Sequence, residues 1–117
     1  MVTRGVGTPS FMAPELFDDD EDAEAIESIL AVDIYAVAVI LWQFWFKAEP
    51  WLGKGAHKVM HAVIDGKRPA LSGDECPAPD LPPPPALRAL IEACWNGDAA
   101  RRPGVASVAK IVQVITN

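Results

Sequence analysis

Residues 34–46 read Ile-Tyr-Ala-Val-Ala-Val-Ile-Leu-Trp-Gln-Phe-Trp-Phe, and in these thirteen positions Gln43 is the only polar side chain. A helix that is apolar all round belongs either in a bilayer or in the middle of a helical domain, where neighbours surround it. A span needs about 20 residues. Extension back to Ile29 gives eighteen but takes in Asp33, whose insertion near a bilayer centre would cost roughly 2.5 to 3.5 kcal/mol. Membrane insertion is therefore disfavoured. The stretch is read as a central helix over about 29–46, around which the rest of the domain packs.

Downstream the apolar residues fall into helical stripes. Glu-Pro-Trp-Leu-Gly at 49–53 is a turn whose large aromatic packs back on the core. Ala56, Val59, Met60, Val63 and Ile64 then follow i, i+3, i+4, i+7, i+8, and Gly66 supplies a C-terminal stop. Residues 67–85 hold seven prolines, too many for a helix interior. Leu87, Leu90, Ile91, Cys94 and Trp95 repeat the stripe, with Asn96-Gly97 read as its stop. A last helix opens near Pro103 and carries Val105, Val108, Ile111, Val112 and Ile115. No stretch alternates with period two. The fold class is all-α, with about four helices, long loops and no sheet, and the C-terminal helices occupy 54–116.

Upstream the pattern changes. Residues 1–17, with Gly5, Gly7, Pro9 and Pro14, read as an extended loop. Residues 18–28 read as an acidic surface loop: eight of the sixteen carboxylates lie between positions 15 and 27, with no Lys or Arg among them. The net charge of −6 comes from that block, since the remainder carries eight acids against ten bases. No basic stripe exists for nucleic acid. At 50% apolar and 22% charged residues, the 117-residue chain has the composition of one globular domain. Cys76 and Cys94 are too few and too far apart for a disulfide framework or a metal knuckle. No signal-like stretch opens the sequence, so an intracellular, cytoplasmic setting is expected.

Taken alone, the residue patterns offer no catalytic centre. His57 and His61 have the i, i+4 spacing of two metal ligands, but Lys58 stands where a zinc-protease helix carries Glu and no third His exists. Gly5-Val-Gly7 lacks a third glycine, and Gly53-Lys-Gly55 lacks the Ser/Thr that follows a phosphate-cradling lysine. There is no nucleophile elbow and no paired carboxylates outside the acidic block. No metal site is expected.

Five short strings in a fixed order say more. Gly7-Thr-Pro-Ser-Phe-Met-Ala-Pro-Glu15 resembles the end of a protein kinase activation segment, which closes on Ala-Pro-Glu. Asp33-Ile-Tyr-Ala-Val-Ala-Val-Ile-Leu-Trp42 resembles the central helix of the kinase large lobe. Gly66-Lys-Arg-Pro69, Cys94-Trp95 and Arg101-Arg-Pro103 follow in the order seen in tyrosine kinases and tyrosine-kinase-like serine/threonine kinases. Over about residues 5–115 the chain thus resembles the C-terminal half of a kinase large lobe. Thr8, where tyrosine kinases usually have Pro, points to the serine/threonine type.

The resemblance implies roles. Gly7, Thr8 and Phe11 would belong to the activation segment and substrate positioning, and Thr8 would contact the catalytic-loop Asp and Lys. Glu15 would pair with Arg102, Asp33 would accept hydrogen bonds from the catalytic-loop backbone, and Ile40 and Phe44 would anchor the apolar spine. Ala38 stands where the family usually has Gly, Phe11 where Tyr or Trp is common, and Gln43 where Glu is common. These 117 residues contain no His-Arg-Asp loop, no Asp-Phe-Gly, no ATP-binding lysine and no glycine-rich loop. The expectation is an inactive fragment that holds no cofactor. The parent would use ATP and magnesium to phosphorylate protein Ser/Thr, and the fragment's partners would be a protein substrate or the missing kinase portion. The alternative is a non-catalytic, kinase-derived interaction module. On the fragment reading the central helix should present an uncovered apolar strip that includes some of Ile40 and Phe44, whereas a fully enclosed helix would favour the self-sufficient module.

Overall fold

A computed structural model describes residues 9–17 and 26–116. The described residues contain no strand. Four α-helices follow in order: α1 (Ile26–Phe46), α2 (Ala56–Ile64), α3 (Pro85–Cys94) and α4 (Val105–Thr116), with 3-10 turns at Pro9–Phe11, Pro14–Phe17 and Ala99–Arg101. The segment before residue 18, read as extended, is therefore coiled into two tight turns from Pro9 onward.

Helix α1 starts at Ile26, three residues earlier than the central helix read from the sequence, so the expected acidic loop gives up its last positions to helix. Residues 18–25 of that loop, and Gly7 and Thr8, lie outside the described residues. The helix ends on Lys47, whose φ of 52° is left-handed and whose N–H donates to the Gln43 carbonyl at 2.7 Å.

The buried face of α1 consists of Ile34, Tyr35, Ala38, Val39, Trp42 and Phe46, and it packs chiefly on α3. Every position of the α3 stripe is buried, Leu87, Leu90, Ile91, Cys94 and Trp95. Pro85 opens α3 at its first position, where the absent N–H is no loss. Gly66 closes α2 with φ 90°, donating to Val63, while Lys67 donates to Ala62. Asn96-Gly97 does not close α3 in that way. Gly97 is not left-handed, and a side chain there would meet the Arg68 guanidinium at 3.6 Å. That is an ordinary van der Waals contact, so Arg68 does not require a glycine there.

The stripes of α2 and α4 are only partly covered. Val59 and Val63 are buried while Ile64 is exposed; on α4, which opens at Val105, only Val108 is buried. Residues 29–46 have the length and apolarity of a membrane span, with mean hydropathy 1.9, yet a third of them are buried within the domain. The rest are not all covered: Ile40 is 53% and Phe44 73% exposed.

The proline-rich loop is strapped to α1 by two indoles. Trp42 Nε1 donates to the Ala70 carbonyl at 2.9 Å, and Trp45 Nε1 to the Leu81 carbonyl at 3.0 Å.

Candidate functional site

Glu15 and Arg102 lie at the centre of a polar cluster. Asp98 caps the 3-10 turn Ala99–Arg101 by accepting from the Ala100 N–H, and the turn delivers Arg102 into the core. There its side chain is fully buried, beside a Glu15 side chain that is 30% exposed. Arg102 Nη1 donates to Glu15 Oε2 at 2.6 Å and Nη2 to Oε1 at 2.8 Å, a bidentate pair. The same guanidinium donates to the Ala31 carbonyl at 3.0 Å and, through Nε, to the Asn96 carbonyl at 2.8 Å. One side chain thus ties the Pro14–Phe17 turn, α1 and the segment after α3. The structure brings Glu15 and Arg102 together, as the string resemblance implies.

Sequence reasoning missed the rest of this cluster. Tyr35, almost wholly buried, has both Arg102 Cζ and Arg68 Cζ at 5.2 Å from its ring centroid. Arg68 donates to the carbonyls of Trp95 at 2.9 Å, Val63 at 3.1 Å and Lys67 at 2.7 Å. Burial pushes the Tyr35 hydroxyl above its usual range, and the two guanidiniums partly oppose this. Burial likewise lowers Arg68. Desolvation raises the Cys94 thiol to about 11. Arg68 stood within one of the five strings; nothing in the string said that it would share a ring with Arg102.

Asp33 lies apart from the cluster. It is exposed and accepts no hydrogen bond from the described residues. Ile40 and Phe44 sit on the uncovered side of α1, and Phe11 is half-buried beside the core.

Phe11 lines a cleft of about 480 Å³ between the Pro9–Phe11 turn and the loop after α1, with Gln43, Glu49, Trp51 and Lys54 on its other walls. Trp51 is left-handed, φ 59°, in the turn closed by the Lys54 N–H on its carbonyl. Such a conformation costs a non-glycine residue about 1 to 3 kcal/mol and is commonest at functional sites. Its buried indole N–H finds no partner among the described residues. The cleft offers an aromatic floor with one acidic and one basic group, which suits an extended peptide better than a highly charged nucleotide. Among the described residues no group of His, Cys, Asp or Glu could hold a metal ion.

Residues 1–113 match the family model of the protein kinase domain. The chain is 29% identical over 113 residues to mitogen-activated protein kinase kinase kinase 7 of Homo sapiens, covering 95% of this chain and 16% of that protein. It is 29% identical over 109 residues to the serine/threonine-protein kinase CTR1 of Arabidopsis thaliana, covering 92% of this chain and 11% of that one. A probable LIM domain-containing serine/threonine-protein kinase of Dictyostelium discoideum is 27% identical over 115 residues, 98% of this chain and 16% of its own length. The chain therefore spans about a sixth or less of these relatives.

Proposed function

Since the chain belongs to the protein kinase family, as a large-lobe fragment of the tyrosine-kinase-like serine/threonine group, we propose that its parent transfers phosphate from ATP to protein Ser/Thr. In this reading the 117 residues form the substrate-facing C-terminal part of the large lobe and do not transfer phosphate by themselves. The observation that carries the reading is the buried Glu15–Arg102 pair, because it fixes the end of the activation-segment string to the string that opens the last helix. With that anchor in place, Phe11 forms one wall of the peptide-sized cleft and Trp51 the other. Gly7 and Thr8 precede that wall in the sequence and complete the positioning segment.

In this reading the parent's ATP and magnesium are held by other parts of the kinase domain, because the 117 residues contain no His-Arg-Asp loop, no Asp-Phe-Gly, no ATP-binding lysine and no glycine-rich loop. The chain's own work is to orient the protein substrate and brace the lobe, in an intracellular setting. The uncovered side of α1, with Ile40, Phe44 and the exposed carboxylate of Asp33, is the seat for the missing kinase portion.

The test compares this chain with the longer protein that contains it, in a phosphate-transfer assay on a mixed Ser/Thr protein substrate. Transfer by the longer protein and none by the chain is expected. Transfer by the chain alone would overturn the division of labour. A longer protein that is folded and inert would favour the non-catalytic interaction module.

A further inference from the structure

The proline-rich loop between α2 and α3 ends on Leu81-Pro82-Pro83-Pro84-Pro85, a run that nothing in the activity proposed above uses. Covalent geometry dictates its shape. Each proline ring holds φ at about −65°, and each residue that precedes a proline, here Leu81 through Pro84, is pushed to extended ψ. Together these values define the polyproline II helix, and Pro84 has them, with φ −56° and ψ 151°.

At about three residues per turn, such a helix has three edges. Leu81 and Pro84 form one, Pro82 and Pro85 the second, and Pro83 stands on the third. The domain buries Pro83 and leaves the other four exposed, Leu81 by 63%. One edge is thus seated on the protein while two are offered to solvent. The ends of the ridge are also fixed. The Leu81 N–H donates to the Ala78 carbonyl at 3.0 Å, Trp45 Nε1 donates to the Leu81 carbonyl at 3.0 Å, and Pro85 opens α3. The exposed Pro82 keeps a carbonyl that accepts no hydrogen bond from the described residues.

A rigid apolar ridge loses little conformational freedom on binding, and proline-rich ridges are taken up by grooves lined with aromatic side chains. Charge narrows the partner further. From Pro69 to Leu87 the chain carries Asp74, Glu75 and Asp80, all exposed, and no Lys, Arg or His. The first base beyond, Arg88, is paired with Glu92 at 3.6 Å. The net charge beside the ridge is negative.

We propose that Leu81–Pro85 is a docking ridge for a proline-recognition domain of a partner protein, one whose groove is lined with aromatic rings and rimmed with Lys or Arg. Leu81 and the exposed prolines fill the groove, a donor on its wall takes the Pro82 carbonyl, and Asp80 faces the basic rim. This docking does not rest on phosphate transfer by the parent.

The test is isothermal titration of the whole chain with an EVH1 domain chosen for a basic rim, alongside an SH3 domain chosen for an acidic one. Saturable binding of the first is expected, weakened by added sodium chloride, with the second at least about tenfold weaker. The double variant Leu81→Ala, Pro82→Ala should weaken the EVH1 domain by a similar factor. Should that variant lower the melting temperature and so disturb the loop, Asp80→Lys carries the test, because its side chain is exposed ahead of the ridge. It should weaken the EVH1 domain and remove much of the salt dependence. Absence of saturable binding, equal or tighter binding of the SH3 domain, or binding that both variants leave unchanged would each overturn the proposal.

Discussion

Arg102 reaches Glu15 across 87 positions of sequence with two hydrogen bonds, and the arginine side chain has no exposure to solvent at all. The pair is therefore asymmetric. Glu15 can turn part of its carboxylate to water, whereas Arg102 depends on the partners it has. Removing Glu15 leaves a buried cation with only the Ala31 and Asn96 carbonyls. Glu15→Ala should cost about 3 to 5 kcal/mol, the range for breaking a buried pair from one side. Glu15→Gln keeps one neutral acceptor and should cost less. Urea midpoints measure both, and a loss below about 1 kcal/mol for Glu15→Ala would show that the pair behaves as a surface bridge.

Alkaline stability follows from Cys94. Its thiol is raised to about 11 from an ordinary 9.0, so between these values the folded chain keeps a proton that the unfolded chain has lost. Stability is full below pH 9 and falls as pH rises toward 11, by an amount on the order of 2 kcal/mol. Tyr35, also raised, contributes with the same sign above pH 10. Melting temperatures across that window give the slope, which Cys94→Ala should flatten. Native Cys94 should also resist iodoacetamide at about pH 8, since buried thiols carry little thiolate. Rapid native labelling at Cys94 would contradict its burial.

Lys47 closes α1 in a left-handed conformation that glycine adopts without cost. The side chain is exposed, so little packing is lost on truncation. Lys47→Gly should stabilise the chain by roughly 1 kcal/mol, the penalty relieved at such a position. An unchanged or lower denaturation midpoint would mean that the lysine contributes contacts that compensate its backbone.

Magnesium-ATP at millimolar concentration should leave the melting temperature of this chain where it is. A ligand that binds only the native state must raise it, so a saturable upward shift would reveal a nucleotide site in these residues.

Phe44 and Ile40 expose apolar surface on one side of α1. Phe44→Glu should change the stability of the isolated chain by no more than about 0.5 kcal/mol, as for other surface sites, while reducing self-association in sedimentation experiments. A large destabilisation would mean that Phe44 is covered in solution.

The helices were legible where one face alone is buried. The α3 stripe could be read residue by residue, because apolar spacing, an N-terminal proline and complete coverage all agree. Periodicity shows which face can be buried, but coverage depends on neighbours. Val105, Ile111 and Val114 fit a helix yet remain exposed, since α4 meets the domain mainly through Val108. The start of α1 was hidden by composition: a run rich in carboxylates looks like loop until Ile26 and Ile29 are seen to extend the helix. Glu15 and Arg102 were accessible only through the family strings, because a separation of 87 positions leaves no local signal of a pair. Arg68 could not be placed at all. Which carbonyls a guanidinium meets depends on how three helix ends converge, and sequence spacing does not encode that convergence.

The ring of Tyr35 serves two cations at once, and that sharing governs how the domain comes apart. Arg68 and Arg102 draw the carbonyls of Ala31, Val63, Trp95 and Asn96 onto one stack, so the C-terminal ends of α2 and α3 meet where α1 is most deeply buried. Helix ends ordinarily fray first and exchange their amide hydrogens fastest. The ends of α2 and α3 should therefore be among the last amides to exchange, and the outer turns of α4, where only Val108 is buried, among the first.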